Sequence, residues 1–225
     1  MSPSVFLFDL DMSLVDSSAL TRYRNLGHWT YVRENINSVT PLGRSRHAHL
    51  LPAQLRALGH KVGIVTSSPR WYAEHVLRSF EVPYDVLVAY GDTELGKPSR
   101  QPICKALELL GKRPHETIYI GDDAVDVEAA FHAEVLSVGA GRGMPTVDFS
   151  SVAPDILLAD VPEPTLLQNL DSRGYIAEVG AGGGQPSRVR PRVRGCLWPN
   201  SVSPWAILHI QRQTTRWPQA HAEGS

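Results

Sequence analysis

Cysteine is scarce in this chain, with only Cys104 and Cys196 among 225 residues. That excludes a disulfide-stapled scaffold and makes the cytoplasm the default compartment. No apolar run approaches the length needed to cross a bilayer, so no membrane span is expected. Met1-Ser2-Pro3 leads straight into an apolar segment and leaves no room for a signal peptide on this reading. Charge of one sign is missing too: the formal net charge is -1, which by itself names no partner. No internal repeat is visible. Beyond Gly174 the chain also lacks apolar periodicity, except around Trp205 to Ile210. Gly180 to Gly184 and the alternating Arg188, Arg190, Arg192 and Arg194 dominate instead. A basic, Gly/Pro/Arg-rich tail over 173–225 is expected there, poorly ordered, following a single domain over 1–172.

What is present is ample material for a core, at 42% hydrophobic residues. Four apolar residues, Val5 to Phe8, are too few for a helix and read as a strand buried on both faces. From 17 to about 49 the pattern is irregular and suggests one or two short helices. Leu50, Leu51, Leu55 and Leu58 have helical spacing, closed by Gly59. Residues 61–66 read as a second buried strand. Ser68 is then a candidate N-cap with Pro69 at the first helical position, opening a helix through Trp71, Val76, Leu77 and Phe80. A strand over 84–89, a helix over 101–110 stopped by Gly111, and a strand over 117–120 follow. A helix carrying Val127, Ala130 and Phe131, a strand over 135–138, a short edge strand over 155–158 and a helix over 163–170 complete the pattern. Alternation of this kind implies right-handed crossovers and an α/β, doubly wound (Rossmann-like) parallel sheet with flanking helices. In such sheets the working groups gather at the carboxyl edge of the strands. Asp9, Asp11, Thr66 and Asp122 all fall at that edge.

The first strand ends in Asp9-Leu10-Asp11. Residues two apart in a strand point the same way, so two carboxylates are crowded together there. Such a pair repels unless a cation lies between its members or one holds a proton. A solvated acidic turn is the plain alternative for these three residues taken alone. Three further segments decide between the two. Asp9-Leu10-Asp11-Met12-Ser13-Leu14-Val15-Asp16, Thr66, Lys97 within Gly96-Lys97-Pro98, and Gly121-Asp122-Asp123-Ala124-Val125-Asp126 resemble, in that order, the four motifs of the haloacid dehalogenase-like hydrolases. The resemblance covers Val5 to about Leu170 and is nearest the phosphoglycolate-phosphatase-like branch. Two positions depart from the family pattern: Met12 where Gly is commonest, and Ser13 where Thr is commoner.

The resemblance implies a Mg²⁺-dependent phosphatase that works through an aspartyl-phosphate. Asp9 is the implied nucleophile, since covalent catalysis splits one difficult displacement into two easier ones. Asp11 is the implied general acid and base. Lys97 and the Thr66 hydroxyl are the implied partners of the phosphoryl oxygens, with Ser67 beside them and Ser67 or Ser68 as alternatives for that hydroxyl, because charge develops on those oxygens during transfer. Asp9, the Asp11 backbone carbonyl and Asp122 are the implied Mg²⁺ ligands. Asp126 is expected to orient Lys97 or a metal-bound water. Asp123 is expected to cap a helix, where acids are favoured. Dehalogenases of the superfamily lack an acid at the position of Asp11, so phosphotransfer is favoured over carbon–halogen cleavage.

Between the first two motifs only 17–49 is left for a cap, which makes the expected cap minimal and helical and the site open, unless a second copy of the chain covers it. That segment carries Arg22, Arg24, Arg33, Arg44 and Arg46 interleaved with Tyr23, Trp29 and Tyr31. Arginines there are candidates for extra phosphates, and the aromatics for stacking on bases, which points to a nucleotide or a nucleic-acid end as substrate. The plain alternative is a solvated basic helix face with aromatics packed beneath. Two other functions share the motifs. A phosphomutase usually needs a fuller cap to keep water from its intermediate. A binding or regulatory module on the same fold would have no need of the intact acid pair, Lys97 and Asp122.

Overall fold

The structure, a computed structural model, describes residues 3–42, 48–140 and 153–157. In chain order it comprises β1 (Val5–Phe8), β2 (Val15–Asp16), α1 (Ser18–Asn25), α2 (Trp29–Glu34), β3 (Thr40–Pro41) and α3 (Leu51–Ala57). These are followed by β4 (Lys61–Pro69), α4 (Arg70–Ser79), β5 (Val86–Tyr90), α5 (Gln101–Leu110), β6 (Thr117–Gly121), α6 (Ala124–His132), β7 (Leu136–Gly139) and β8 (Ile156–Leu157).

Six strands form one sheet in the order β5-β4-β1-β6-β7-β8, with every pair parallel. This is the doubly wound sheet that the alternating pattern implies. β1 is central because it is apolar on both faces. Phe6 and Phe8 pack into a core with α3 and α4, while Val5 and Leu7 pack into a second core with α5 and α6. All four are buried, and burying one such side chain stabilises by about 1.5–3 kcal/mol. The chain leaves β1 toward β4 on one side and toward β6 on the other, so the strand order reverses at β1. A crevice opens at the carboxyl end of a strand at such a reversal.

β2 and β3 form a separate antiparallel ribbon, pairing Val15 with Pro41 and Asp16 with Thr40. The ribbon closes the excursion of residues 17–39, in which α1 and α2 pack on the first core through Leu20 and Val32. Two short helices are what the irregular segment was read to contain. The helix over 101–110 ends at Gly111 in the left-handed conformation (φ 61°), as its sequence implies.

Two expectations are corrected. The second strand does not stop at Thr66; it continues to Pro69, and the helix begins at Arg70. Ser68 therefore caps nothing. The extension exists because β4 resumes pairing with β5 at Pro69 and Tyr90, across an irregularity that follows Val65. Phe131 lies on α6 as expected but is 57% exposed. Arg44, Arg46, the helix over 163–170 and the basic tail lie outside the described residues. Among the described residues, no helix is long and apolar enough to cross a membrane.

Candidate active site

Asp9 follows β1 directly, and its N–H donates to the Ile120 carbonyl at 2.9 Å, which extends the ladder by one residue. The chain then folds back on itself. Met12 N–H donates to the Val15 carbonyl at 2.7 Å, and Leu14 N–H to the Leu10 carbonyl at 2.9 Å. Met12 takes φ 62°, a left-handed conformation that glycine adopts freely and that costs other residues energy. The turn thus explains why a glycine suits position 12.

The fold-back gives the two carboxylates separate surroundings. Asp9 Oδ1 accepts from Lys97 Nζ at 2.7 Å, and the same ammonium donates to Asp126 Oδ1 at 2.6 Å. Lys97 also reaches the Tyr119 hydroxyl at 3.2 Å and the Val65 carbonyl at 3.3 Å. Its side chain is only 4% exposed. Asp11 faces elsewhere: its Oδ1 accepts from Tyr72 at 2.7 Å and from Arg24 Nη1, and its Oδ2 accepts from Ser68 at 2.6 Å. One of these donors belongs to the cap helix α1, one to α4 and one to the end of β4.

At the end of β6, Asp122 Oδ1 accepts from Ser13 at 2.8 Å, which ties the first turn to the fourth segment. Asp123 is exposed and caps α6, its carboxylate accepting from Val125 N–H at 3.3 Å. Asp126 returns the bond, accepting from Asp123 N–H at 3.2 Å. Both oxygens of Asp126 are therefore engaged, Oδ1 by Lys97 and Tyr119 and Oδ2 by the cap. Asp126 serves as an anchor for Lys97.

Carboxylate oxygens of Asp9, Asp122 and Asp126 lie within 4.8 Å of one another. With every carboxylate ionised, three of them against one ammonium would leave the cluster two charges negative. Burial pushes Asp9 well above the ordinary carboxylate range, with repulsion from Asp126, Asp122 and Asp11 adding to it against the pull of Lys97. Burial, with Asp126 behind it, raises Asp122 to about 7. Burial alone would lower Lys97, but the Asp126 and Asp9 carboxylates more than offset this and hold it charged. Crowded oxygen donors with excess negative charge suit a hard divalent cation such as Mg²⁺.

Thr66 is buried, and its Oγ1 accepts from Ser68 N–H at 3.1 Å. Ser67 is exposed. Both line a cleft of about 200 Å³ together with Lys97, Tyr90 and Glu94. Of the residues singled out from sequence, the fold brings together Asp9, Asp11, Lys97, Asp122, Asp126 and Arg24, with Thr66 and Ser67 at the edge of the cleft. Arg22 is exposed on α1 and has no side-chain bond to the site.

The haloacid dehalogenase-like hydrolase family matches residues 31–140, a span that holds Thr66, Lys97, Asp122 and Asp126. Over that span the chain is similar to the haloacid dehalogenase-like hydrolases. Similar proteins include PpaX of Caldanaerobacter subterraneus, 33% identical over 136 residues that are 59% of this chain and 56% of that one. The pyrophosphatase PpaX of Halalkalibacterium halodurans is 33% identical over 112 residues, 48% of this chain and 52% of its own. The chain thus spans about half the length of these curated relatives. Among solved structures, a hydrolase from Pseudomonas syringae superposes with a TM-score of 0.60 at 19% identity, over 75% of this chain and 98% of that one. CbbY of Rhodobacter sphaeroides, solved in complex with phosphate, does so with a TM-score of 0.52 at 20% identity, over 69% and 93%.

Three polar contacts of the site are not legible in the sequence: those of Ser68 and Tyr72 with Asp11, and that of Tyr119 with Lys97. Ser68 reads from sequence as a helix cap or a stand-in for Thr66, and a serine two beyond a strand-end threonine points to the same side if the strand continues. Tyr72 and Tyr119 are not singled out by the sequence pattern. A buried tyrosine hydroxyl needs a partner, which was the available signal.

Proposed function

We propose that the chain is a Mg²⁺-dependent phosphatase that transfers a phosphoryl group to Asp9 and then to water. The observation that carries this reading is the division of labour between Asp9 and Asp11. They are two residues apart, yet Asp9 is held by Lys97 among acids, while Asp11 is held by Arg24, Tyr72 and Ser68.

In the first step a carboxylate oxygen of Asp9 forms a bond to phosphorus as the bond from phosphorus to the leaving oxygen breaks. Asp11, in its protonated form, gives that oxygen its proton. In the second step Asp11 takes a proton from water as the water oxygen attacks phosphorus, and the bond to Asp9 breaks. Lys97 neutralises charge on the transferred oxygens, and Asp126 with Tyr119 keeps its ammonium on Asp9. Thr66 and Ser67 offer hydroxyls and backbone N–H groups on the side of the cleft. Asp9, the Asp11 carbonyl and Asp122 are the ligands we assign to Mg²⁺. Bound there, the ion supplies positive charge beside the phosphoryl group and relieves the repulsion among the carboxylates.

Relatives named as pyrophosphatases bring phosphoanhydrides into the substrate class, beside phosphate monoesters. A nucleotide or nucleic-acid end has less support from the cap aromatics, which are used internally. Tyr23 stacks on Tyr31 with centroids 3.8 Å apart, and Trp29 packs edge-on to Trp71 at 6.1 Å. We place the hydrolase domain at 1–172, with the cap within 17–49.

The test is phosphate release from para-nitrophenyl phosphate with and without Mg²⁺, comparing the natural chain with Asp9→Asn. Release is expected to need both the metal and Asp9, with a loss on the order of a thousandfold or more in the variant. Equal release by Asp9→Asn would overturn the mechanism.

A further inference from the structure

Arg24 is placed unlike the other arginines of the cap. Arg22 is exposed, and Arg33 stacks on Trp71 with its guanidinium carbon 4.6 Å from the ring centroid. Arg24 instead points inward, with its side chain 18% exposed. Its Nη1 donates to Asp11 Oδ1 and, at 2.5 Å, to the hydroxyl of Ser17, a residue with no exposure. The guanidinium carbon sits 5.5 Å from the centroid of the Tyr72 ring, which is itself buried. Aromatic ring and serine hydroxyl thus fix the guanidinium at one place, against the oxygen of Asp11. Among the described residues, Nε and Nη2 have no hydrogen-bond partner. A guanidinium carries donors in a planar fork that suits carboxylate and phosphate oxygens, so two sides of a well-placed fork are left to bind something else.

Its position decides what that is. With Asp11 as the acid that protonates the leaving oxygen, any group bonded to Asp11 Oδ1 borders the leaving side of the scissile bond. A cation held there favours a substrate whose leaving group is itself ionised. We propose that Arg24 determines specificity by binding a second anionic group, a phosphate or a carboxylate, on the leaving side of the substrate. This rests on the assignment of Asp9 and Asp11 above. The cap is too small to enclose a substrate by bulk, and one fixed charge gives it selectivity in place of enclosure.

The experiment compares three probes on the natural chain with Mg²⁺, on Arg24→Gln and on Arg24→Lys. Inorganic pyrophosphate has a phosphate as leaving group, phospholactate has a carboxylate beside the scissile oxygen, and para-nitrophenyl phosphate has no ionised leaving group. In Arg24→Gln, kcat/KM for the two anionic probes is expected to fall about tenfold to a hundredfold further than for para-nitrophenyl phosphate, mostly through KM. Arg24→Lys, which keeps the charge, is expected to recover part of that difference. A loss confined to pyrophosphate assigns the site to phosphate, and one confined to phospholactate assigns it to carboxylate. Equal losses on all three probes would show that Arg24 only positions Asp11, and would overturn the proposal, as would no loss at all. Equal melting temperatures of the natural chain and Arg24→Lys keep the comparison valid if Arg24→Gln folds poorly. A natural chain that releases phosphate from none of the three probes would overturn the phosphatase reading itself, a different result from a change in their ratio.

Discussion

Met12 and His60 are each at odds with their surroundings, for different reasons. Met12 holds φ 62° in the turn that carries Asp11. A left-handed residue with a side chain costs roughly 1–2 kcal/mol, and a glycine gives back about 0.5–1 kcal/mol through its freer unfolded chain. Met12→Gly is therefore expected to stabilise the protein by about 0.5–1 kcal/mol, a rise of ~2 °C in thermal melting. From sequence, Met12 was visible as an unusual residue in a familiar motif. Its backbone angle was not, because nothing local in Asp11-Met12-Ser13 dictates it. The bonds to Leu10 and Val15 do.

His60 is 3% exposed, and neither ring nitrogen has a partner among the described residues. It meets Phe6 edge-on at 5.0 Å. Burial lowers its pKa below the ordinary 6.5, so the folded protein holds the neutral ring. As pH falls below about 6.5 the unfolded chain takes up a proton that the folded chain resists. The stability contributed by the neutral ring is full above that pH and is lost as pH drops through the folded value. His60→Leu is expected to flatten the fall in denaturation midpoint between pH 7.5 and 5. It is also expected to stabilise by about 1–2 kcal/mol at pH 7.5, by removing two unpaired buried nitrogens. An unchanged pH dependence would show that other groups control it.

At the scale of elements, the joint between β6 and α6 carries the most consequence for the site. A Cβ on Gly121 would come within 2.4 Å of the Asp126 Cβ and 2.6 Å of its Oδ2. Gly121 is thus glycine because Asp126 must lie against the strand to reach Lys97. Gly121→Ala is expected to displace Asp126 and slow phosphate release by ~10²-fold, with a smaller loss of melting temperature. Steady-state rates with saturating Mg²⁺ check this. β1, α5 and β6 were legible because their periodicity and stop signals agree with the fold. The end of β4 was not. Local capping signals at Ser68 and Pro69 favoured a helix, and pairing of Pro69 with Tyr90 on the neighbouring strand overrode them. That override places the Ser68 hydroxyl on Asp11.

For the whole molecule, the sheet order and the four motif segments were readable together, since a reversal at the central strand brings successive strand ends to one crevice. Lys97 and its anchor Asp126 followed from the motifs. The grip on Asp11 did not follow. Arg24 comes from the cap and Tyr72 from α4, 48 positions apart in the chain, and no sequence spacing encodes that meeting. The ribbon of β2 and β3 makes it happen, by closing residues 17–39 over the carboxyl edge of the sheet. Among the described residues of 17–39, Arg24 is the side chain that bonds to Asp11.

The proposed mechanism passes through a covalent phosphoryl group on Asp9. The direct measurement is rapid acid quenching of the enzyme during turnover with Mg²⁺, followed by peptide mass analysis. The expected result is a phosphorylated peptide that contains Asp9, that disappears as substrate is exhausted, and that is absent in Asp9→Asn. Phosphorylation at any other residue, or turnover by Asp9→Asn at the natural rate, would contradict it.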